Sequence, residues 1–267
     1  MTDTTAAPAP RPAPRPAIRS ITTDDIHDAL RAGWADFRAA PQFGLFFGGI
    51  YALGGLFILL ELTRMEQPLW IIPLAFAFPL IGPFVAIGLY EVSRRREQGL
   101  PLDWSEVLGV IWRERGRQIP TMAFIVVAGF MVWMWFARLI LAIFLGRMSF
   151  AVYSDLNILF TTTNGLAMLV VGTAVGGAIA FILYAITAVS LPMLLERELD
   201  FVTAMVASFN AVTSNLRPML VWAFIIGAGA ILSMIPAFLG LVVVLPVLGH
   251  ATWHVYRKVI APEGEAA

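Results

Sequence analysis

Six apolar stretches of bilayer length run through this sequence and restrict the folds open to it. A helix that crosses about 30 Å of hydrocarbon needs about 20 apolar residues, and a helix satisfies its own backbone hydrogen bonds there. Only 13% of the residues are charged, against about 25% in soluble proteins. We therefore predict an all-α, polytopic membrane protein with six transmembrane helices. The predicted spans are residues 43–62, 69–90, 121–145, 166–195, 218–234 and 236–256.

The membrane domain is predicted to cover residues 21–260. Residues 1–20 are rich in Ala, Pro and Arg, and this composition predicts a disordered tail because it offers little apolar surface to bury. Residues 261–267 are predicted to form a disordered C-terminus. We expect an uncleaved N-terminus, since no short apolar core with a small-residue cleavage site precedes the first span.

A short amphipathic segment precedes each pair of spans, and each segment opens with Asp. The three copies are Asp25, Ile26, Leu30 and Trp34; Asp103, Trp104, Leu108 and Trp112; and Asp200, Phe201, Met205 and Phe209. This spacing puts the apolar side chains on one stripe of a helix, and the leading Asp suits an N-cap. We predict three parallel repeats, each an interfacial helix followed by a transmembrane hairpin.

The basic residues predict the orientation in the membrane. With the N-terminus inside, 15 of the 18 basic residues fall in cytoplasmic segments, and only Arg64 and Arg147 fall in outer loops. Lys and Arg are enriched in the cytoplasmic loops of membrane proteins. We therefore expect a multi-pass protein of the bacterial inner membrane with both termini in the cytoplasm. Each repeat has an even number of spans, so all three amphipathic segments are predicted to lie on the cytoplasmic face.

Two interpretations of the amphipathic segments remain open. In the first, the segments lie at the headgroup level, where Trp34, Trp104 and Trp112 anchor them and Arg side chains reach anionic lipid. In the second, the three helices form a composite cytoplasmic platform that docks a partner protein or caps a cavity between the spans. Both interpretations make the bilayer a partner, and the second adds another membrane protein or complex. The sequence does not define an oligomeric state, and no nucleic-acid partner is expected.

His250 and His254 are candidate metal or haem ligands, because a spacing of four residues puts them on one helix face. The chain has no Cys, and no third His lies nearby. The pair also stands beside Trp253, Tyr256 and Arg257, where polar aromatic residues collect at a membrane interface. We favour interfacial residues over ligands, and we expect no cofactor and no metal.

Arg138 is the charged residue deepest within a predicted span. Ionisable groups at such positions face a partner or a pathway, or their ends reach the interface. We predict that Arg138 extends toward the outer headgroups and pairs with Glu61; a counter-charge for a substrate or ion is the alternative. Pro73, Pro79 and Pro83 are expected to bend the second span, and this bend beside Gly-rich helices is the predicted place for a cavity.

Further patterns concern packing and ion pairing. The spacings Gly44–Gly48 and Gly172–Gly176 predict close helix contacts, within the chain or between copies. Pro192 is expected to kink the fourth span near its end. The acidic residues at the inner ends of the second and fourth spans are expected to pair with neighbouring Arg residues. They are Glu91, Glu196 and Glu198.

The sequence resembles a known membrane family. The residues that carry the resemblance are Ile21 to Ile26, Ala29, Leu30, Gly33, Trp34, Asp36, Phe37, Tyr90, Glu91, Ser93, Arg94, Pro192, Met193, Leu195, Glu196 and Arg197. They resemble the uncharacterised integral membrane proteins of alphaproteobacteria and relatives known as domain of unknown function 2189. The resemblance implies a multi-pass architecture and carries no established reaction, so no catalytic residue is transferred.

The sequence contains no phosphate loop, dinucleotide-binding turn, zinc-protease pair or nucleophile elbow. We therefore expect a non-enzymatic protein that organises lipid or a membrane-protein partner through its interfacial helices. A small-solute or lipid transporter or channel is the alternative, and an accessory factor of a respiratory complex is the third hypothesis. An oxidase core is excluded, because it needs several intramembrane His ligands.

Overall fold

The computed structural model describes residues 16–64, 71–114, 116–146, 155 and 157–262, which form eleven α-helices. They are α1 (Thr23–Ala39), α2 (Pro41–Arg64), α3 (Ile71–Glu97), α4 (Trp104–Glu114), α5 (Ile119–Leu145), α6 (Asn157–Thr161), α7 (Thr163–Thr187), α8 (Ser190–Glu196), α9 (Phe201–Ser214), α10 (Leu216–Met234) and α11 (Leu241–Val259). The predicted all-α class is confirmed. Strand-like pairing in the described part is limited to one antiparallel bridge, between Ile18 and Ile260.

Four helical segments are long and apolar enough to cross a membrane: α2, α5, residues 163–196 (α7 with α8) and α10. The six-span arrangement stays a prediction. The long helices α3 and α11 are not among these four. In α11 only the first half is apolar, and the second half carries His250, His254, Arg257 and Lys258.

The predicted kink near Pro192 is confirmed as a break between α7 and α8. Proline has no N–H to donate to the carbonyl of residue 188, so the regular helix stops one turn earlier. Ser208 of α9 takes over at the break: its hydroxyl donates to the Ala185 carbonyl at 2.7 Å and accepts from the Val189 N–H at 3.1 Å. A side chain from a neighbouring helix thus satisfies the interrupted backbone.

The link between α10 and α11 differs from the prediction. The sixth span was expected to start at residue 236, but a turn occupies residues 235–240 and α11 begins at Leu241. Ala237 (φ 53°) and Phe238 (φ 66°) take left-handed backbone conformations in this turn. The Phe238 ring lies against Gly55 of α2, where a Cβ would stand 2.4 Å from Phe238 Cγ. The conformation of this turn therefore places the Phe238 ring directly on Gly55.

Glycines on α1 and α2 bring α11 into the centre of the bundle. A Cβ on Gly33 would lie 2.5 Å from the Ala251 backbone nitrogen, and one on Gly48 would lie 2.7 Å from the Val242 carbonyl oxygen. The close contact predicted from Gly44 and Gly48 is thus formed within the chain. The largest buried side chains of this region include Trp222, Trp253 and Tyr256.

The chain ends differ from the predicted disorder where they are described. Ala261 donates its N–H to the Ala17 carbonyl at 2.9 Å, and Arg19 donates its N–H to the Val259 carbonyl at 2.8 Å. Residues 16–20 therefore form an extended strap beside the end of α11. The rest of the predicted tail, residues 1–15, and residues 263–267 lie outside the described part of the chain.

Candidate functional site

Polar side chains from α1, α3, α8 and α11 meet at one end of the bundle in a set that we term the polar layer. Its members are Asp36, Glu91, Ser93, Arg94, Arg95, Arg96, Glu97, Glu196, His250, Trp253, His254, Tyr256 and Arg257. Six of the thirteen come from α3, which continues past the predicted span end at residue 90 to Glu97. Polar groups at a buried position need protein partners, because water is not there to supply them.

Asp36 stands at the centre of the polar layer between α11 and α3. Its Oδ2 lies 2.8 Å from His254 Nε2, and its Oδ1 accepts from Arg96 Nε at 2.8 Å. Burial by itself would raise the pKa of Asp36, but the hydrogen bonds with His254 and Arg96 outweigh it and the pKa lies below its ordinary value. Asp36 is therefore an ionised carboxylate that joins three helices.

His250 lies one helical turn before His254 and has a different partner. It is fully buried, and its Nδ1 lies 2.9 Å from Ser93 Oγ. Its Nε2 has no hydrogen-bond partner among the described residues. The two imidazoles therefore share a helix face as predicted, but each engages a separate side chain. Within the described ranges, no group of three or more His, Cys, Asp or Glu side chains is placed to hold a metal ion.

Two glutamates fasten the end of α11 to α3 and α8. Glu97 accepts from Trp253 Nε1 at 2.9 Å and from Arg257 Nε at 3.0 Å. Glu196 accepts from Arg257 Nη1 at 2.9 Å and from the Tyr256 hydroxyl. Arg257 thus bridges two carboxylates, and each carboxylate also accepts from an aromatic side chain. Charge-assisted bonds of this kind are about twice as strong as neutral ones.

Glu91 pairs with the arginines that follow it on α3. Its side chain is fully buried and accepts two bonds from Arg94, at 2.7 and 2.9 Å. Arg95 lies 3.3 Å from Glu91 and 3.2 Å from Glu106 of α4. The hydrogen bonds with Glu91 raise the pKa of Arg94 above its ordinary value. The ion pairs predicted for Glu91 and Glu196 are therefore present; the one predicted for Glu198 is an exposed contact with Arg117 at 3.5 Å.

The polar layer thus joins helices through groups that already have partners. Asp36, Glu97 and Glu196 each bind two side chains of neighbouring elements, and Glu91 binds two arginines of its own helix. A general base or nucleophile needs a free lone pair directed at a substrate. Carboxylates engaged in this way are suited to fixing helix positions.

The three leading Asp residues have different positions at their helix ends. Asp200 is an N-cap as predicted, and its side chain accepts from the Thr203 N–H at 2.9 Å. Asp103 directly precedes α4. Asp25 is not an N-cap: Thr22 has that role, and the Asp25 carboxylate accepts from the Thr22 N–H at 2.8 Å in a capping box. The prediction for Asp25 was wrong because Thr22 provides an earlier cap with a matching acid three residues on.

Large apolar side chains of α1, α4 and α9 lie on the outside of the structure. Trp112 is 67% exposed, Trp104 41%, Trp34 46% and Phe209 43%, whereas Phe201 is half-buried. The opposite faces of these helices pack through small or branched side chains. They include Ala29 and Gly33 in α1, Val107 and Val110 in α4, and Ala204 and Ala211 in α9. Each helix thus combines a protein-facing side with an exposed aromatic edge.

Arg138 and Glu61 occupy separate places. Arg138 lines a groove between α5 and α7. Glu61 is buried on α2, and its Oε2 has no hydrogen-bond partner among the described residues. Within the described part of the chain these two side chains form no ion pair with each other. The tertiary packing separates them, since α2 packs on α3 and α11 whereas α5 packs on α3 and α7.

A cavity of about 230 Å³ lies beside the proline-containing α3, as the bend predicted. Its lining includes Tyr51, Gly82, Leu248, Gly249 and Thr252. The Tyr51 hydroxyl donates to the carbonyl of Phe78, next to Pro79, at 3.0 Å. Arg138 is not among the lining residues, so this cavity does not bring the prolines of α3 together with the arginine.

Sequence reasoning gave no role to several residues that organise this site. Asp36 and Ser93 entered only as part of the family resemblance, and Arg96 and Glu97 were not singled out. Asp36 had a usable signal: it continues the buried helical spacing of Ile26, Ala29 and Gly33 as the one acidic member. An acid on a buried stripe predicts a buried partner.

Residues 71–196 match the model of a family described as "Predicted integral membrane protein (DUF2189)". This match confirms the resemblance drawn from the sequence, and it covers α3 to α8. The residues of 21–37 that also carried the resemblance lie outside the matched range. Among curated proteins and solved structures, none matches the chain.

Proposed function

We propose that this integral membrane protein organises anionic lipid at one face of the bacterial inner membrane and works without catalysis. In this proposal six helices cross the bilayer, and α1, α4 and α9 lie at the cytoplasmic headgroups. The polar layer fixes α1 to α3 and α11, and the pair between Arg95 and Glu106 joins α4 to α3. The observation that carries the proposal is the exposed apolar edge of α4, which directly precedes the membrane-spanning α5.

The composition of α4 favours a bilayer interface as its environment. Trp104, Leu108 and Trp112 lie along one exposed edge, and Arg113 lies on another exposed side of the helix. Trp prefers the headgroup level because its ring is amphipathic, and Arg attracts anionic lipid. Trp104 also packs on Phe43 of α2, with ring centroids 4.4 Å apart. The edge of α4 is therefore joined to the flank of a spanning helix, where headgroups lie.

The absence of catalysis is proposed from the state of the polar layer. The carboxylates that accept from His254 and Arg257 are engaged in hydrogen bonds that link helices, and Glu91 is occupied by two arginines of its own helix. Removing such a partner is expected to destabilise the fold, and no catalytic activity is expected to be affected. An activity that disappears in a stable Asp36→Asn variant would overturn this part of the proposal.

The orientation can be tested directly, because the chain has no Cys and any introduced thiol is the only one present. Single cysteines at Arg113 and at Asn157 should report opposite sides of the inner membrane. We expect a membrane-impermeant maleimide to label Asn157→Cys in intact spheroplasts and Arg113→Cys only after permeabilisation. Equal labelling of both in intact spheroplasts would contradict six spans with a cytoplasmic N-terminus.

The lipid contact can be tested with an environment-sensitive fluorophore at a single cysteine. We expect a label at Leu108→Cys to be quenched by lipids brominated near the headgroup and shielded from iodide. Because position 113 lies about 140° further round the helix, a label at Arg113→Cys should be quenched by iodide. Vesicles with phosphatidylglycerol should increase the shielding at Leu108 relative to pure phosphatidylcholine. Identical iodide quenching at the two positions would overturn the interfacial placement.

A further inference from the structure

A groove of about 730 Å³ runs between α5 and α7, away from the polar layer and from α1 and α4. Trp133 and Arg138 of α5 and Gly172, Thr173 and Gly177 of α7 are among its lining residues. Apart from Arg138 and Thr173, the lining residues are apolar. The groove combines the surface of a hydrocarbon-binding site with one cationic side chain.

Glycines form the floor of the groove. A Cβ on Gly176 would lie 2.8 Å from the Trp133 ring, so this glycine lets the two helices touch. On either side of that contact, no described atom comes within 4 Å of a Cβ placed on Gly172 or Gly177. The two helices therefore touch at Gly176 and again at Gly129, where a Cβ would lie 2.5 Å from Leu183, and they leave open space beside Gly172 and Gly177. An unbranched acyl chain can lie in this space, because glycine leaves only hydrogen atoms on its floor.

Arg138 sits where a lipid headgroup can reach it. It precedes the end of α5 at Leu145 by two turns, about 10 Å along the axis. Its stem can lie along the apolar wall while its guanidinium extends toward the interface. Arg138 forms no ion pair with a described residue. A cation at this depth is costly without a counter-charge.

We propose that this groove binds one anionic phospholipid, with an acyl chain on the Gly172–Gly177 floor and the headgroup phosphate on Arg138. Charge complementarity identifies the occupant as an anionic lipid. A guanidinium binds phosphate through two parallel hydrogen bonds, and a net anionic headgroup has no cation of its own that competes with Arg138 for the phosphate. The bilayer itself supplies the lipid. This site is separate from the interfacial edges of α1, α4 and α9. The experiments below therefore test it independently of the proposed function.

Native mass spectrometry of the full chain, delipidated in detergent and titrated with single lipids, tests the site. We expect one phosphatidylglycerol per chain to bind about tenfold more tightly than phosphatidylcholine, the ratio that one charge-assisted contact supplies. Arg138→Gln should remove this preference, and Arg138→Lys should keep part of it because the charge remains. Equal binding of the two lipids by the natural chain would overturn the proposal, as would full preference in Arg138→Gln.

Filling the groove gives a second, independent test. Gly172→Leu and Gly177→Leu add side chains to open space, so both variants should fold and both should lose the tightly bound lipid. Gly227→Leu is the matched control: it lies on α10, away from the groove, and its Cβ position also has no described neighbour within 4 Å. Retained binding in both filled variants would overturn the proposal.

A second copy of the chain is the competing occupant of this face. The mass spectra report the number of chains at the same time as the number of lipids. If the natural chain is a dimer that Gly172→Leu converts to a monomer, with phosphatidylglycerol binding unchanged, the groove holds a partner helix and the lipid assignment is wrong. If Gly172→Leu fails to fold, Gly177→Leu and Arg138→Gln decide the question.

Discussion

Asp36 of α1 and His254 of α11 are 218 positions apart in the sequence, and Asp36 Oδ2 lies 2.8 Å from His254 Nε2. Arg96 of α3 binds the other oxygen of the same carboxylate, also at 2.8 Å. One side chain thus fixes the first, third and last long elements of the chain to one another. Asp36 follows Gly33 by about one helical turn on α1, and Gly33 is where α1 meets Ala251 of α11.

Replacing Asp36 by Asn should lower the free energy of unfolding by about 1–3 kcal/mol, because Arg96, whose side chain is 32% exposed, loses its counter-charge and His254 loses its carboxylate partner. The Asp36 side chain is only 9% exposed. Thermal unfolding in detergent micelles, followed by circular dichroism, measures the effect. Asp24→Asn removes the same charge from an exposed position of the same helix and is the control. Equal unfolding temperatures for the two variants would contradict a structural role for the carboxylate.

Gly33→Ala should destabilise the chain by about 1–3 kcal/mol through overpacking. Its new methyl group would lie 2.5 Å from the Ala251 nitrogen, a backbone atom that cannot rotate away. Gly49→Ala is the matched control, since a Cβ there has no described neighbour within 4 Å. That control should be neutral or stabilising by up to about 1 kcal/mol, because Ala favours helix over Gly. A Gly33→Ala variant as stable as Gly49→Ala would show that α1 and α11 can separate freely.

The sequence predicted those features that depend on local chemistry. Pro192 removes a backbone donor wherever its helix lies, so the break between α7 and α8 could be anticipated. The spacing of Gly44 and Gly48 likewise predicted a close contact, which Val242 supplies. Periodicity alone also defined the amphipathic character of α4.

Features that depend on distant pairing could not be predicted in this way. Nothing near His254 in the sequence indicates that Asp36 is its partner, and the pair forms only when α1 packs on α11. The N-terminus of α1 was misassigned for a different reason. Thr22 and Asp25 are both good capping residues, and the local pattern does not decide which one caps and which one occupies the third helical position.

The pair between Asp25 and Lys258 should make a small, pH-dependent contribution. Its hydrogen bond with Lys258, at 2.8 Å, is the main reason why the pKa of Asp25 falls from 3.8 to about 2. A lowered carboxyl pKa stabilises the fold above pH 3.8, and the contribution is lost as the pH falls toward 2. The partner Lys258 has a raised pKa, so its contribution is present below 10.5 and disappears as the pH rises past the folded value.

Lys258→Met should therefore lower stability by about 0.5 kcal/mol near pH 7, a small effect because both side chains are about one-third exposed and screened. The difference from the natural chain should vanish by pH 2. Unfolding temperatures at pH 7, 4 and 2 measure it. Arg31→Met breaks a more exposed pair on the same helix and should show less change. If the Lys258→Met variant were still less stable than the natural chain at pH 2, Lys258 would stabilise the fold through packing of its aliphatic stem and not through the ion pair.

Asn215 should hold the N-terminal strap in place. Its amide nitrogen donates to the Arg19 and Ala211 carbonyls, each at 3.1 Å, and its oxygen accepts from the Ile21 N–H at 2.8 Å. Asn215→Ala leaves a buried backbone donor without a partner, which should cost about 1–3 kcal/mol.

The loss at Asn215 should be local as well as global. Residues 18–22 should exchange their amide hydrogens faster in Asn215→Ala, while the amides of α5 exchange as in the natural chain. Hydrogen exchange followed by mass spectrometry of the N-terminal peptides measures this difference. Asn164→Ala, the same substitution at an exposed position of α7, is the control and should leave exchange at residues 18–22 unchanged. Unchanged exchange in Asn215→Ala itself would mean that the bridge between Ile18 and Ile260 holds the strap without the amide.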